Sequence, residues 1–157
     1  MRFLMSVAVC FTLSAVLAAP VPKEKGKEKL KDEDAIVGTW RVVEIDYGGG
    51  QKLLPDHAKQ SRYTFGENGA FSITDPRQPT ANFTFKLDPS SKPKAMDWIV
   101  NGQPLSILGL YELDGDTLKF CMSQKQPTVR PTELKGDDAT LTWVWALKRV
   151  MDEKMDK

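Results

Sequence analysis

Residues 106–123 read SILGLYELDGDTLKFCMS, and this stretch decides the fold. Leu118, Phe120 and Met122 alternate with Lys119, Cys121 and Ser123. Every second side chain therefore falls on one face, which is how a half-buried antiparallel strand reads. Residues 106–113 form a second strand-like run. Between the two, Asp114-Gly115 accepts the positive φ that a tight hairpin turn demands.

The same period extends outward. Phe83, Phe85 and Leu87 alternate with Thr84, Lys86 and Asp88; Leu141, Trp143, Trp145 and Leu147 alternate with Thr142, Val144, Ala146 and Lys148. Asn68-Gly69 and Asn101-Gly102 mark further turns, and Gly48-Gly49-Gly50 and the Pro-Ser-Ser-Lys-Pro run at 89–93 mark further breaks. Strands are predicted over 36–47, 61–66, 70–75, 81–87, 94–100, 106–113, 116–123 and 140–149. A short helix is expected over 55–60, where Pro55 suits an early helical position. Eight sequential strands with short connections predict an all-β, single antiparallel up-and-down barrel, whose closure removes exposed edges. The first strand poses a problem, because Trp40-Val42 and Val43-Ile45-Tyr47 put bulk on both of its faces.

The flanks read differently. Arg2 and an apolar run from Phe3 to Leu17, closed by Ala18 and Ala19, have the layout of an export signal over 1–19. The run is shorter than the roughly 20 residues that span a bilayer, so cleavage is expected and no stable membrane insertion after it. Cys10 sits mid-run behind Val9, which argues against lipidation. Residues 20–35 alternate lysine with acid and read as a charged, flexible tether, with helix only near its end. The barrel domain then occupies 36–150, and 151–157 is a polar tail. The expected address is extracytoplasmic, periplasmic or secreted.

The 157 residues are 41% hydrophobic, 27% charged and 9% aromatic, which suits one domain. Losing Arg2 with the signal leaves 21 basic against 21 acidic residues. That balance argues against nucleic acid, which is met by a clustered positive footprint. With Cys10 removed, Cys121 has no intramolecular disulfide partner.

Two resemblances join these patterns. Gly38-Thr39-Trp40 opening the first strand resembles the lipocalin Gly-x-Trp motif. That likeness implies a tryptophan across the barrel floor with Arg149, or Lys148 beside it, packed on the indole. LDPSSKPKAMDW at 87–98, GLYELDGDTLKFC at 109–121, RPTEL at 130–134 and LKR at 147–149 follow in order. Together they resemble an uncharacterised planctomycete family of lipocalin-like domains, over Ile36 to Val150. The likeness implies an exported bacterial β-barrel and brings no established activity or ligand.

The chemistry-bearing residues are few. His57 is the only histidine and Cys121 the only cysteine after the signal; a nucleophilic pair needs them in contact, and the predicted elements place them apart. Glu112, Asp114 and Asp116 lie around one hairpin without an EF-hand spacing, zinc-ligand spacing is absent, and Gly48-Gly49-Gly50 lacks a phosphate-loop ending. No catalytic residue, metal or cofactor is therefore expected. Structural roles fall to Gly38, Trp40 and Arg149 at the barrel floor. An eight-stranded barrel either fills with side chains or holds one small ligand. The expected function is a non-enzymatic exported barrel taking a small apolar or amphipathic molecule at one mouth, with Leu53 and Leu54 lining it behind a glycine gate. The alternative is a structural or protein-interaction module with a filled core.

Overall fold

The computed structural model describes residues 30–101, 103 and 106–151. The expected export signal over 1–19, the expected tether over 20–29 and the expected polar tail beyond Met151 lie outside the described residues. Nine strands follow in order: β1 (Gly38–Asp46), β2 (Lys52–Leu53), β3 (Arg62–Phe65), β4 (Ala70–Asp75), β5 (Gln78–Asp88), β6 (Ala95–Val100), β7 (Ser106–Asp114), β8 (Thr117–Ser123) and β9 (Thr142–Arg149). Two short helices, α1 (Asp32–Ala35) and α2 (Asp56–Gln60), precede β1 and β3 respectively. None of the described helices is long and apolar enough to cross a membrane.

All strands except β2 make a closed eight-stranded antiparallel barrel in sequential up-and-down order. Closure runs between the first and last strands, from Trp40 opposite Arg149 to Asp46 opposite Val144. On its other side β1 is divided: Gly38 to Arg41 pair with β3, while Ile45 and Asp46 pair with β2. The two-residue β2 is too short to show alternation, so periodicity could not reveal it.

A bulge at Val43 resolves the conflict over the first strand. The ladder with β9 steps from Val42–Leu147 to Glu44–Ala146, which leaves Val43 as the extra residue. The side-chain phase shifts there, and Trp40, Val42, Ile45 and Tyr47 all join one core.

The apolar alternation of the other strands fills the same interior. Phe65, Phe71, Phe85, Met96, Trp98, Tyr111, Leu118, Phe120, Trp145 and Leu147 are buried together. A smaller cluster of Leu110, Cys121 and Val144 faces outward and is covered by Leu134 from the long β8–β9 connection. The β7–β8 apex has Gly115 at φ 53°, and the β3–β4 turn has Asn68 at φ 60° and Gly69 at φ 77°. Both carry the positive φ that those dipeptides favour.

The end of the charged segment departs from a free tether. Residues 32–35 coil into α1 beneath the barrel, and Asp32 is only 8% exposed. The physical reason is pairing across the fold: Tyr111 Oη and Lys94 Nζ each donate to Asp32 Oδ2 at 2.6 Å.

Candidate functional site

One end of the barrel is sealed. Trp40 is fully buried, and its Nε1 donates to the Ile36 carbonyl at 2.8 Å. The Arg149 guanidinium lies 4.2 Å from the centroid of that indole, a cation over the electron-rich ring face. Its nitrogens donate to Ala35 O at 2.5 Å, Val37 O at 2.7 Å and Asp116 Oδ1 at 2.9 Å. Arg149 thus fastens the backbone after α1 and the β7–β8 hairpin to the floor. Gly38 (φ 135°) allows this, because a Cβ there would stand 2.6 Å from Arg149 Nη1. Gly38, Trp40 and Arg149 are brought together; Lys148 is exposed on the outer wall.

The interior is crossed by aromatic rings in mutual contact. Centroid separations run Phe65–Phe71 4.5 Å, Phe71–Trp98 4.7 Å, Trp98–Phe120 5.0 Å, Phe120–Trp145 5.1 Å, Trp145–Trp143 5.9 Å and Trp143–Tyr47 4.8 Å. These spacings are those of packed aromatic pairs. Toward the unsealed end Tyr47, Ile73, Phe83, Ile107 and Trp143 are only half-buried. Burial lifts the Tyr63 hydroxyl above the usual phenol range, with the Asp75 carboxylate adding to it.

Leu53 and Leu54 do not act alike at this end. Leu54 packs on the core, whereas Leu53 sits in β2 opposite Ile45 and is 53% exposed. The glycine run before them makes a closed turn: Gln51 N donates to Gly48 O at 2.9 Å, and Tyr47 N to Gln51 O at 3.0 Å. A Cβ on Gly48 would meet Asp138 N at 2.5 Å. At Gly48 the turn is therefore pressed against the β8–β9 connection, whereas Gly49 and Gly50 stand exposed with open space around them.

The remaining chemistry-bearing side chains do not converge. His57 lies on α2, which packs against β1 and β4. Cys121 is on the outward face of β8, with Sγ 3.5 Å from Glu133 O, and burial pushes its thiol up to about 11. Of the hairpin acids, Asp116 holds Arg149 while Glu112 faces Lys119 at 3.8 Å. Among the described residues no group of three or more His, Cys, Asp or Glu is placed to hold a metal.

The outer wall carries a second built feature that sequence reasoning missed. Arg130, midway along the β8–β9 connection, reaches back over the sheet. Its Nη2 donates to Asp97 Oδ1 at 2.6 Å and its Nη1 to Gly109 O at 2.5 Å. Gly109 has room for no side chain, since a Cβ would stand 2.5 Å from Cys121 O. The sequence carried two pointers, the RPTEL run that begins at Arg130 and Gly109 inside a strand, which signals close backbone approach, but neither identified Asp97 as the partner. Comparison of the chain with models of known families, with curated proteins and with solved structures finds no match.

Proposed function

We propose that this domain is an exported, non-enzymatic, lipocalin-like barrel that works through its outer surface, as a structural or protein-interaction module, with its interior occupied by its own side chains. The observation that carries this reading is the unbroken ring chain from Phe65 to Tyr47, which uses the space where a barrel of this size would hold a small ligand. Support for the lipocalin-like part comes from Gly38, Trp40 and Arg149 at the sealed floor. The likeness of the motifs at 87–98, 109–121 and 130–134 to the planctomycete family supports a bacterial, extracytoplasmic setting. A non-enzymatic role agrees with the placement of His57 and Cys121 on separate elements, one of them sealed beneath Leu134.

A second reading has its own observation. The half-buried Tyr47, Ile73, Phe83, Ile107 and Trp143 form an apolar rim at the unsealed end. A small apolar or amphipathic molecule seated there would rest on the aromatic core without entering it. Native mass spectrometry of the protein from its own source, with titration of an apolar dye and a panel of fatty acids, sterols and isoprenoids, separates the two. The module reading expects no added mass and no saturable change in tryptophan emission. One bound molecule per chain that quenches that emission overturns it in favour of the second.

A further inference from the structure

A groove of about 610 Å³ runs along the outer wall of β5, β6 and β7, within the size range of binding clefts. Its floor is apolar: Ala95 and Leu110 are neighbours across the β6–β7 ladder, and both are buried. One bank is the β5–β6 turn with Pro93, and the other is Arg130-Pro131 from the β8–β9 connection.

The charges along it are unevenly satisfied. Asp97 stands opposite Lys86 in the β5–β6 ladder, yet its carboxylate is taken by Arg130 at 2.6 Å. Asp88 turns back on its own loop, where Oδ1 accepts from Ser90 N, Ser90 Oγ and Ser91 N. Ser90 is the main cause that holds this carboxyl below the usual carboxylate range. Lys86 and Lys92 are left without a carboxylate within 4.0 Å among the described residues. Arg130 is therefore the device that builds the groove: it fixes one bank and releases Lys86 from its cross-strand partner.

We propose that this groove is a docking site for an acidic peptide segment of a partner protein, a carboxylate held by Lys86 and Lys92 beside an aliphatic side chain on Ala95 and Leu110. The inference deepens the module reading and rests on it. A bare inorganic anion would leave the apolar floor and most of the volume unused. An aromatic-stacked ligand finds no ring in the lining. An extended peptide carrying both kinds of side chain uses the floor and the lysines together.

The test is amide-shift mapping of isotope-labelled protein titrated with the capped peptide Ac-Gly-Glu-Leu-Glu-Gly-amide, with its Gln-for-Glu counterpart alongside. Saturable shifts are expected over 86–97 and 130–132, about tenfold weaker for the neutral peptide, from the loss of two exposed charge contacts. The double variant Lys86→Glu, Lys92→Glu should melt with the parent, lose the acidic peptide and take up Ac-Gly-Lys-Leu-Lys-Gly-amide. Equal shifts for both peptides, shifts elsewhere on the barrel, or an unaltered response in the double variant would overturn the groove. That failure with an empty barrel in native mass spectrometry leaves the module reading standing; a barrel ligand removes it whatever the groove does.

Discussion

At the scale of single residues, the floor pair makes the sharpest claim. Trp40→Ala empties a fully buried aromatic site and should cost about 3–5 kcal/mol. Arg149→Ala loses the indole face and strands the carbonyls of Ala35 and Val37, at about 2–4 kcal/mol. If the two act as one unit, the double variant measured by chemical denaturation is less destabilised than the sum; strictly additive losses would refute the contact. Burial also sets a pH response. Cys121, Tyr63 and Tyr111 all hold their protons more tightly when folded than at their ordinary values of 9.0 and 10.0. Above about pH 9 the unfolded chain releases protons that the folded chain keeps. Stability is therefore full below that pH and falls as pH rises through the folded values. Melting temperatures that stay level from pH 8 to 11 would contradict this. At pH 8 the Cys121 thiol should also resist alkylation until the chain is unfolded.

At the scale of elements, alternation and turn dipeptides made the eight barrel strands legible to within about two residues at most ends, as strand boundaries allow. What stayed hidden depended on distance along the chain or on phase. The bulge at Val43 appeared only as a strand with bulk on both faces. The docking of α1 was invisible because Asp32 meets Tyr111 across 79 residues, and a run of lysine and acid looks solvated. Trp40 and Arg149 were legible as a pair because a motif and the strand register both pointed to them. Arg130 was not, since its target on β6 lies 33 residues away with β7 and β8 between them. The clasp gives its own prediction. Asp32→Ala leaves Tyr111 Oη and Lys94 Nζ without their shared acceptor, and because Lys94 is about a third exposed the cost should be modest. About 1–3 kcal/mol is expected, with amide exchange accelerating in α1 ahead of the strands. Uniform acceleration across the whole barrel would mean that α1 is integral to the core and not a separately held cap.

At the scale of the whole molecule, the sequential order joins neighbours by short hairpins everywhere except at the β8–β9 connection and the α2 excursion. The barrel then depends on a single long-range seam, that of β1 with β9. Val150 N donates to Thr39 O at 2.7 Å, so the two ends of the folded body leave side by side at the sealed floor. Chain order at that seam is a matter of covalent accident, for the ladder would be the same with the strands linked there and cut elsewhere. A circularly permuted protein, with residues 31 and 150 bridged by a glycine linker so that α1 and its Asp32 clasp are kept, and new ends opened in the exposed turn at 76–77, should fold to the same barrel. It should keep native tryptophan emission and melt within a few degrees of the parent. The same adjacency makes the body a cassette: spliced by its neighbouring ends into a surface loop of an unrelated host, it would display its outer wall while requiring almost no gap in the loop that receives it.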